Sequence, residues 1–175
     1  MKNLLNLFLV GCLAFNIFAF DEETVEVLQP EEVVVEGTID VSEMTVEQMA
    51  EHCEMTLEEF NMVSGLVENE SNRSTDGDLS GREMIALVVF NRLYSEQFPN
   101  TIYDVLYQRN QFRLPNGRVS YRTPTEFSNQ AVVNAYDMIH SGEEYPQVLF
   151  FRSGYWFSWR PRYGNTSYGG NYFSL

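Results

Sequence analysis

The sequence predicts an α+β domain, with helices first along the chain and a small antiparallel β-sheet at its C-terminal end. Apolar residues recur at helical spacing in several stretches between residues 45 and 141. From residue 149 onward, ten of 27 residues are aromatic and glycines separate short aromatic runs, a pattern typical of strands joined by loops. A chain of 175 residues that is 44% apolar is long enough for one packed domain with terminal extensions.

Residues 1–20 are typical of a signal peptide. Lys2 provides a short positive start, and the apolar run over residues 4–20 is shorter than the roughly 20 residues that a membrane span needs. We expect cleavage after Ala19 and an exported protein, in the periplasm, the cell wall or outside the cell. An uncleaved membrane anchor and lipidation at Cys12 stay open as alternatives, and the membrane is expected as a partner only through this segment.

Residues 21–44 are predicted to form an acidic flexible linker, which leaves residues 45–175 as the domain. From residue 21 to residue 72 there are sixteen Asp or Glu and no Lys or Arg, and the whole chain has a net charge of -14. The linker has no aromatic residue, so burial cannot offset its chain entropy. The acidic balance excludes nucleic acid as a partner, and two Cys with two His match no zinc-site spacing, so we expect no metal and no cofactor.

Two helix starts carry capping signals. Thr45 precedes Gln48 by three residues, and Thr56 precedes Glu59 in the same way, which is the spacing of a capping box. These signals predict helices over residues 45–53 and 56–70. Cys53, at the end of the first helix, is predicted to be a buried small apolar residue.

Three further helices are predicted after a loop. Residues 73–81 are rich in Ser, Asp and Gly and indicate a loop. Residues 82–95 form a helix that is apolar nearly all round, which is typical of a helix in the middle of a domain. Residues 101–107 and 128–141 are the remaining two helices.

Glu70 is the candidate general acid. Val63, Leu66, Val67 and Glu70 follow the i, i+3, i+4, i+7 spacing of one helix face, whereas Glu68 points away from that face. A carboxyl group at the end of an apolar stripe is desolvated, so its pKa should rise, and it then holds the proton that a leaving oxygen needs. The alternative is a carboxylate at a helix end that pairs with one of the arginines.

Five motifs in order resemble the spore cortex-lytic enzyme family, the SleB-type cell-wall hydrolases. The resemblance covers residues 58–175. The motifs are an apolar helix closing on Glu70 (62–71), Gly81 with an apolar helix closing on Asn-Arg (85–92), a Phe-Pro-Asn-Thr turn (98–101), a Gln-Phe pair (111–112), and closing aromatic strands (149–151, Trp159 and 169–173).

The resemblance implies a lysozyme-like α+β fold and an enzyme that cleaves peptidoglycan between N-acetylmuramic acid and N-acetylglucosamine, with Glu70 catalytic. One well-placed acid favours a lytic transglycosylase that leaves 1,6-anhydromuramic ends. Hydrolysis needs a second acid, for which Asp76, Asp78 and Glu68 are the candidates. A hydrolytic muramidase or phage endolysin acting in the host envelope, and a non-catalytic peptidoglycan-binding module, are the alternatives.

Six residues are candidates for binding the glycan strand, which is the expected partner of a monomeric enzyme. Amide side chains can bond N-acetyl groups, and aromatic rings can stack on sugars. The alternatives are helix capping for Asn91 and a small aromatic core for the rings. Many family members carry His at the position of Asn171. The six residues are Asn91, Gln111, Phe112, Tyr155, Trp159 and Asn171.

Overall fold

A computed structural model describes residues 41–71, 79–109, 111–112, 118–165 and 167–175. The signal-peptide prediction and nearly all of the predicted linker lie outside these residues. The elements, in order, are a 3-10 helix Val41–Glu43, α1 (Val46–His52), α2 (Leu57–Glu70), α3 (Leu79–Leu93), α4 (Ile102–Leu106), α5 (Glu126–His140), β1 (Phe150–Ser153) and β2 (Asn171–Ser174). The predicted α+β class is confirmed.

Both predicted capping boxes are present. Thr45 Oγ1 accepts a hydrogen bond from the Gln48 backbone N–H at 3.3 Å, and Gln48 Oε1 accepts one from the Thr45 N–H at 2.8 Å. Thr56 and Glu59 form the same pair of bonds, at 3.2 and 3.0 Å. These reciprocal bonds satisfy N–H groups that have no partner inside the helix, so the local sequence sets where α1 and α2 begin.

The helix α3 is the centre of the core. Its apolar residues from Ile85 to Phe90 are at most 1% exposed, as the all-round apolar pattern predicted. It packs mainly against α5 and also against α2 and α4. It begins at Leu79, three residues earlier than expected, because the Ser-Gly sequence that indicated a loop continues into its first turn.

The C-terminal sheet has two antiparallel strands. Phe150 pairs with Ser174 at one end of β1, and Ser153 pairs with Asn171 at the other. The long connection between the strands carries most of the aromatic residues of this segment. The register places the start of β2 beside the end of β1, where the functional site lies.

Packing already begins inside the stretch predicted as linker. Val41 is 1% exposed and belongs to the hydrophobic core. The end of any flexible linker therefore lies before Val41 rather than at residue 44. Cys53 is 2% exposed, so the prediction of a buried residue is confirmed, and burial raises the pKa of its thiol to about 12. Within the described ranges, no helix is both long and apolar enough to span a bilayer.

Candidate active site

A cavity of about 730 Å³ lies where the end of α2 meets the C-terminal sheet. One carboxylate, three guanidinium groups, two amides and several aromatic rings line it, which is the mixture that polar sugars with apolar faces require. The lining residues are Glu70, Arg92, Gln111, Phe112, Phe150, Phe151, Arg152, Ser153, Phe157, Trp159, Arg160 and Asn171.

Glu70 is the last residue of α2, and it lies in the predicted position. Val63, Leu66 and Val67 are fully buried, and the half-buried Glu70 continues their face of the helix into the cavity. Burial raises the pKa of Glu70, and this outweighs the hydrogen bond from Asn69 and the charge of Arg122, which act in the opposite direction. A raised pKa is the direction that a general acid requires, because it must hold a proton until a leaving oxygen accepts it.

Three polar side chains hold the end of α2 in place. Asn69 Nδ2 donates to Glu70 Oε1 at 3.2 Å, and Ser120 Oγ donates to Asn69 Oδ1 at the same distance. From the sheet, Asn171 Nδ2 donates to the backbone oxygen of Glu70 at 3.3 Å. These bonds restrict both the carboxyl group and its backbone, so the acid is oriented before substrate arrives.

Two glycines allow the neighbouring segments to approach. A Cβ on Gly65 would lie 2.8 Å from the Arg122 backbone oxygen, and the Arg122 N–H donates to the Gly65 oxygen at 3.1 Å. A Cβ on Gly81 would lie 2.9 Å from the Gly169 Cα. The first contact places segment 118–122 against α2, and the second places the turn before β2 against α3, which brings Asn171 to Glu70.

Glu68 makes structural contacts outside the cavity. Its Oε2 accepts a hydrogen bond from Thr125 Oγ1 at 2.8 Å and lies 3.6 Å from Arg82 Nε. Glu68 does not line the cavity, so the second-acid candidate closest in sequence is turned away. Asp76 and Asp78 lie in segment 72–78, outside the described residues. Among the described lining residues, Glu70 is the one carboxylate.

The structure brings four of the six predicted sugar-binding residues together at the cavity. Gln111, Phe112, Trp159 and Asn171 line it. Tyr155 does not; its ring is 60% exposed and its hydroxyl accepts a hydrogen bond from Arg152. It therefore lies on the surface and not in the small aromatic core given as its alternative.

Asn91 requires a correction. It is 7% exposed and outside the cavity, and its Nδ2 donates to the backbone oxygens of Pro146 and Val148, both at 2.9 Å. Asn91 thus fastens α3 to the chain that enters β1, a tertiary contact more than 50 residues away in sequence. Neither sugar binding nor capping of its own helix describes this role.

Arg92 is the most deeply buried charged residue among the lining residues that sequence reasoning missed. It is 1% exposed, its Nε donates to the Leu149 backbone oxygen at 2.8 Å, and its guanidinium lies 5.1 to 5.2 Å from the ring centres of Phe98, Phe112 and Phe150. Burial, with a smaller contribution from the charge of Arg160, lowers its pKa to about 10. Following a long apolar helix, Arg92 has the pattern of a helix-closing residue, so no local signal marks it.

The chain was compared with curated proteins, solved structures and family profiles. No curated protein matches the chain. The catalytic domain of the Bacillus cereus SleB protein is similar at 24% identity, with 67% of this chain and 89% of that domain covered and a TM-score of 0.48. The sequence profile of the family described as Cell Wall Hydrolase matches residues 77–173, more than half of the chain. The protein therefore belongs to the cell wall hydrolase family, whose members act on peptidoglycan.

Proposed function

We propose that the protein is a lytic transglycosylase that cleaves the glycan strand of peptidoglycan between N-acetylmuramic acid and N-acetylglucosamine, with Glu70 as its catalytic residue. The observation that carries this proposal is one half-buried carboxyl group with a raised pKa in a cavity of about 730 Å³. The family profile matches from residue 77 onward and does not include Glu70, so the geometry and the sequence resemblance are what support a catalytic role for Glu70.

In this mechanism Glu70 acts first as an acid and then as a base. The protonated carboxyl group donates its proton to the glycosidic oxygen as the bond from that oxygen to C1 of muramic acid breaks. The resulting carboxylate then accepts the proton of the C6 hydroxyl as its oxygen bonds to C1. The products are a free hydroxyl on the leaving sugar and a 1,6-anhydro ring, and no water is consumed.

The count of carboxylates favours this route over hydrolysis. Glycosidases of the usual type place two carboxylates on either side of the bond that they cleave. Glu70 is the only carboxylate among the described lining residues. Glu68 lies outside the cavity, where it accepts a hydrogen bond from Thr125 and pairs with Arg82. Attack by a hydroxyl of the same sugar also gains from proximity, which is worth roughly 7–11 kcal/mol in well-oriented cases. In a hydrolase, Asp76 or Asp78 would have to activate water.

Four side chains are proposed to bind the sugars. The amides of Gln111 and Asn171 suit N-acetyl groups, and the Asn171 amide also bonds the Glu70 backbone, so it would connect substrate to the acid. Trp159 is 69% exposed at the cavity, where its ring is available to the apolar face of a sugar. Phe112 is 7% exposed and lines the cavity, where its ring offers an apolar surface to the sugar.

The proposal also includes export of the protein and a linker between its N-terminal segment and the folded domain. Residues 1–20 would act as a signal peptide or anchor, and the acidic stretch up to residue 40 would separate it from the folded domain. This organisation suits an enzyme that acts on the wall outside the membrane, encoded by a bacterium or by a phage.

The deciding experiment is digestion of purified peptidoglycan in water labelled with ¹⁸O, followed by mass analysis of the released muropeptides. A transglycosylase releases 1,6-anhydro products that are one water lighter than hydrolysed ones and carry no label. Labelled reducing ends would establish hydrolysis instead. Sedimentation with peptidoglycan without any release would indicate a binding module. The Glu70→Gln variant is the matched control.

A further inference from the structure

The cavity has an excess of positive charge. Arg92, Arg152 and Arg160 line it together with a single described acid, Glu70, although the whole chain has a net charge of -14. Within the part of the chain that the structure describes, neither Arg92 nor Arg160 makes an ion pair. An anion bound in the cavity would balance these charges.

Arg92 and Arg160 have unused hydrogen-bond donors. Arg92 is 1% exposed, and its Nη1 is buried without a hydrogen-bond partner among the described residues. The Nε of Arg160 is in the same state. A buried donor that gains no partner costs about 1–3 kcal/mol, and more when it is charged, so such groups usually serve a ligand or an ordered water.

The two guanidinium groups converge on one aromatic ring. The Cζ of Arg160 lies 3.2 Å from the ring centre of Phe150, and that of Arg92 lies 5.1 Å from the same centre. The Arg160 Cζ also lies 4.3 Å from the ring centre of Trp159. The rings hold the side chains in place without neutralising them, and a guanidinium presents a planar set of donors that matches the two oxygens of a carboxylate.

We propose that Arg92 and Arg160 form a carboxylate-binding subsite, which holds a free carboxylate on the muramic acid residue beside the bond that Glu70 cleaves. This inference rests on the proposed function, since it assigns a substrate group to the same cavity. Two carboxylates qualify: that of the lactyl ether in strands stripped of peptide, and those of the peptide stem. In either case the enzyme distinguishes muramic acid from N-acetylglucosamine by its charge.

The test compares wild-type protein with Arg160→Gln on two substrates. The substrates are purified peptidoglycan, whose stems carry free carboxylates, and peptide-stripped strands, whose lactyl carboxylates are free; each is also prepared with its carboxyl groups converted to neutral amides. For the wild-type protein, amidation of the substrate that carries the bound carboxylate should raise KM roughly 10- to 100-fold, which is the scale of a charge-assisted hydrogen bond. Arg160→Gln should raise KM by a similar factor on that substrate and change little on its amidated form, with kcat affected less than KM.

Two further variants sharpen the result. Arg162→Gln is the matched control, because Arg162 is exposed two residues away and does not line the cavity, and it should keep the wild-type preference for free carboxylates. Arg92→Lys keeps the buried charge but lacks the planar donors, and it should lose the preference while remaining folded by circular dichroism. The source is identified by the substrate on which amidation raises KM: peptide-stripped strands if the lactyl carboxylate is bound, and intact peptidoglycan if the stem is.

Equal KM values of the wild-type protein for the free and the amidated forms of both substrates would overturn the subsite. A loss in Arg160→Gln that is the same on the free and the amidated form would do so as well, since it would show a structural role. Failure of the proposed function looks different, because the wild-type protein would then release no glycan fragments, or would release fragments whose reducing ends carry ¹⁸O.

Discussion

Replacing Glu70 and Glu68 separately by Gln should separate catalysis from stability. Glutamine at position 70 keeps the shape of the side chain and can still accept the hydrogen bond from Asn69, but it cannot donate the proton. General acid–base catalysis contributes roughly 10²- to 10⁴-fold, which corresponds to about 2.7–5.4 kcal/mol of barrier. Glu70→Gln should therefore reduce the rate of muropeptide release by at least that factor.

The same substitution should stabilise the folded protein at neutral pH. Burial raises the pKa of Glu70 above its ordinary value of 4.5, so the folded state binds this proton more tightly than the unfolded state does. Stability then falls as pH rises from the unfolded to the folded pKa, and the ionised carboxylate is unfavourable above that window. Glu70→Gln removes this cost, so its melting temperature should exceed that of the wild-type protein at pH 7, and the difference should vanish below about pH 4.

Glu68→Gln should have the opposite effects, a lower stability and a nearly unchanged activity. It removes the charge that lies 3.6 Å from Arg82 Nε, where the two side chains are only 2% and 13% exposed. Removing the charge that pairs with a buried guanidinium costs about 1–3 kcal/mol, and each kcal/mol corresponds to roughly 2–8 °C in melting temperature. Activity per folded molecule should stay near the wild-type value. Loss of activity in a folded Glu68→Gln, with an active Glu70→Gln, would refute both the helix-face argument and the assigned acid.

Three more predictions concern residues outside the cavity. Gly81→Ala places a Cβ 2.9 Å from the Gly169 Cα, so it should lower the free energy of unfolding by about 1–3 kcal/mol and also reduce activity. Unchanged values in urea unfolding and digestion assays would show that the turn at Gly169 moves aside without cost. A chain that begins at residue 40 should keep full activity, whereas one that begins at Met44 should lose about 1.5–3 kcal/mol of stability, because it lacks the buried Val41. Cys53 should react with a thiol reagent only at the rate of unfolding, since it is 2% exposed and its pKa is about 12; rapid labelling of the native protein would contradict this.

Local signals were sufficient for the helices and for the placement of the two glutamates, with Glu70 at the cavity and Glu68 away from it. The capping boxes at Thr45 and Thr56 involve residues only three apart, and the stripe from Val63 to Glu70 depends only on the helical repeat. The direction of the pKa shift of Glu70 followed from the same stripe, because an apolar helix face is buried in the core of a domain. The bounds of α3 were less accurate, since Ser and Gly near its start indicate loops wherever they occur.

The side chains around the acid were harder to predict, because they come from distant parts of the chain. Asn91 and Arg92 are adjacent on α3, yet one bonds the backbone of Pro146 and Val148 while the other lines the cavity. Their roles differ because neighbouring residues on a helix point in different directions, and only the packing of α3 against the chain entering β1 decides which neighbour each one meets.

By itself, the sequence determined the fold class, the positions of the helices and the acid at the end of α2, because each of these is encoded in residues within two turns of one another. Only the tertiary structure decided that Asn171 bonds the backbone of Glu70 across 101 positions of sequence, and that Arg92 and Arg160 meet at Phe150 with buried donors unused. Contacts of this kind depend on how β1, β2 and the helices pack, and no periodicity in the chain records that packing.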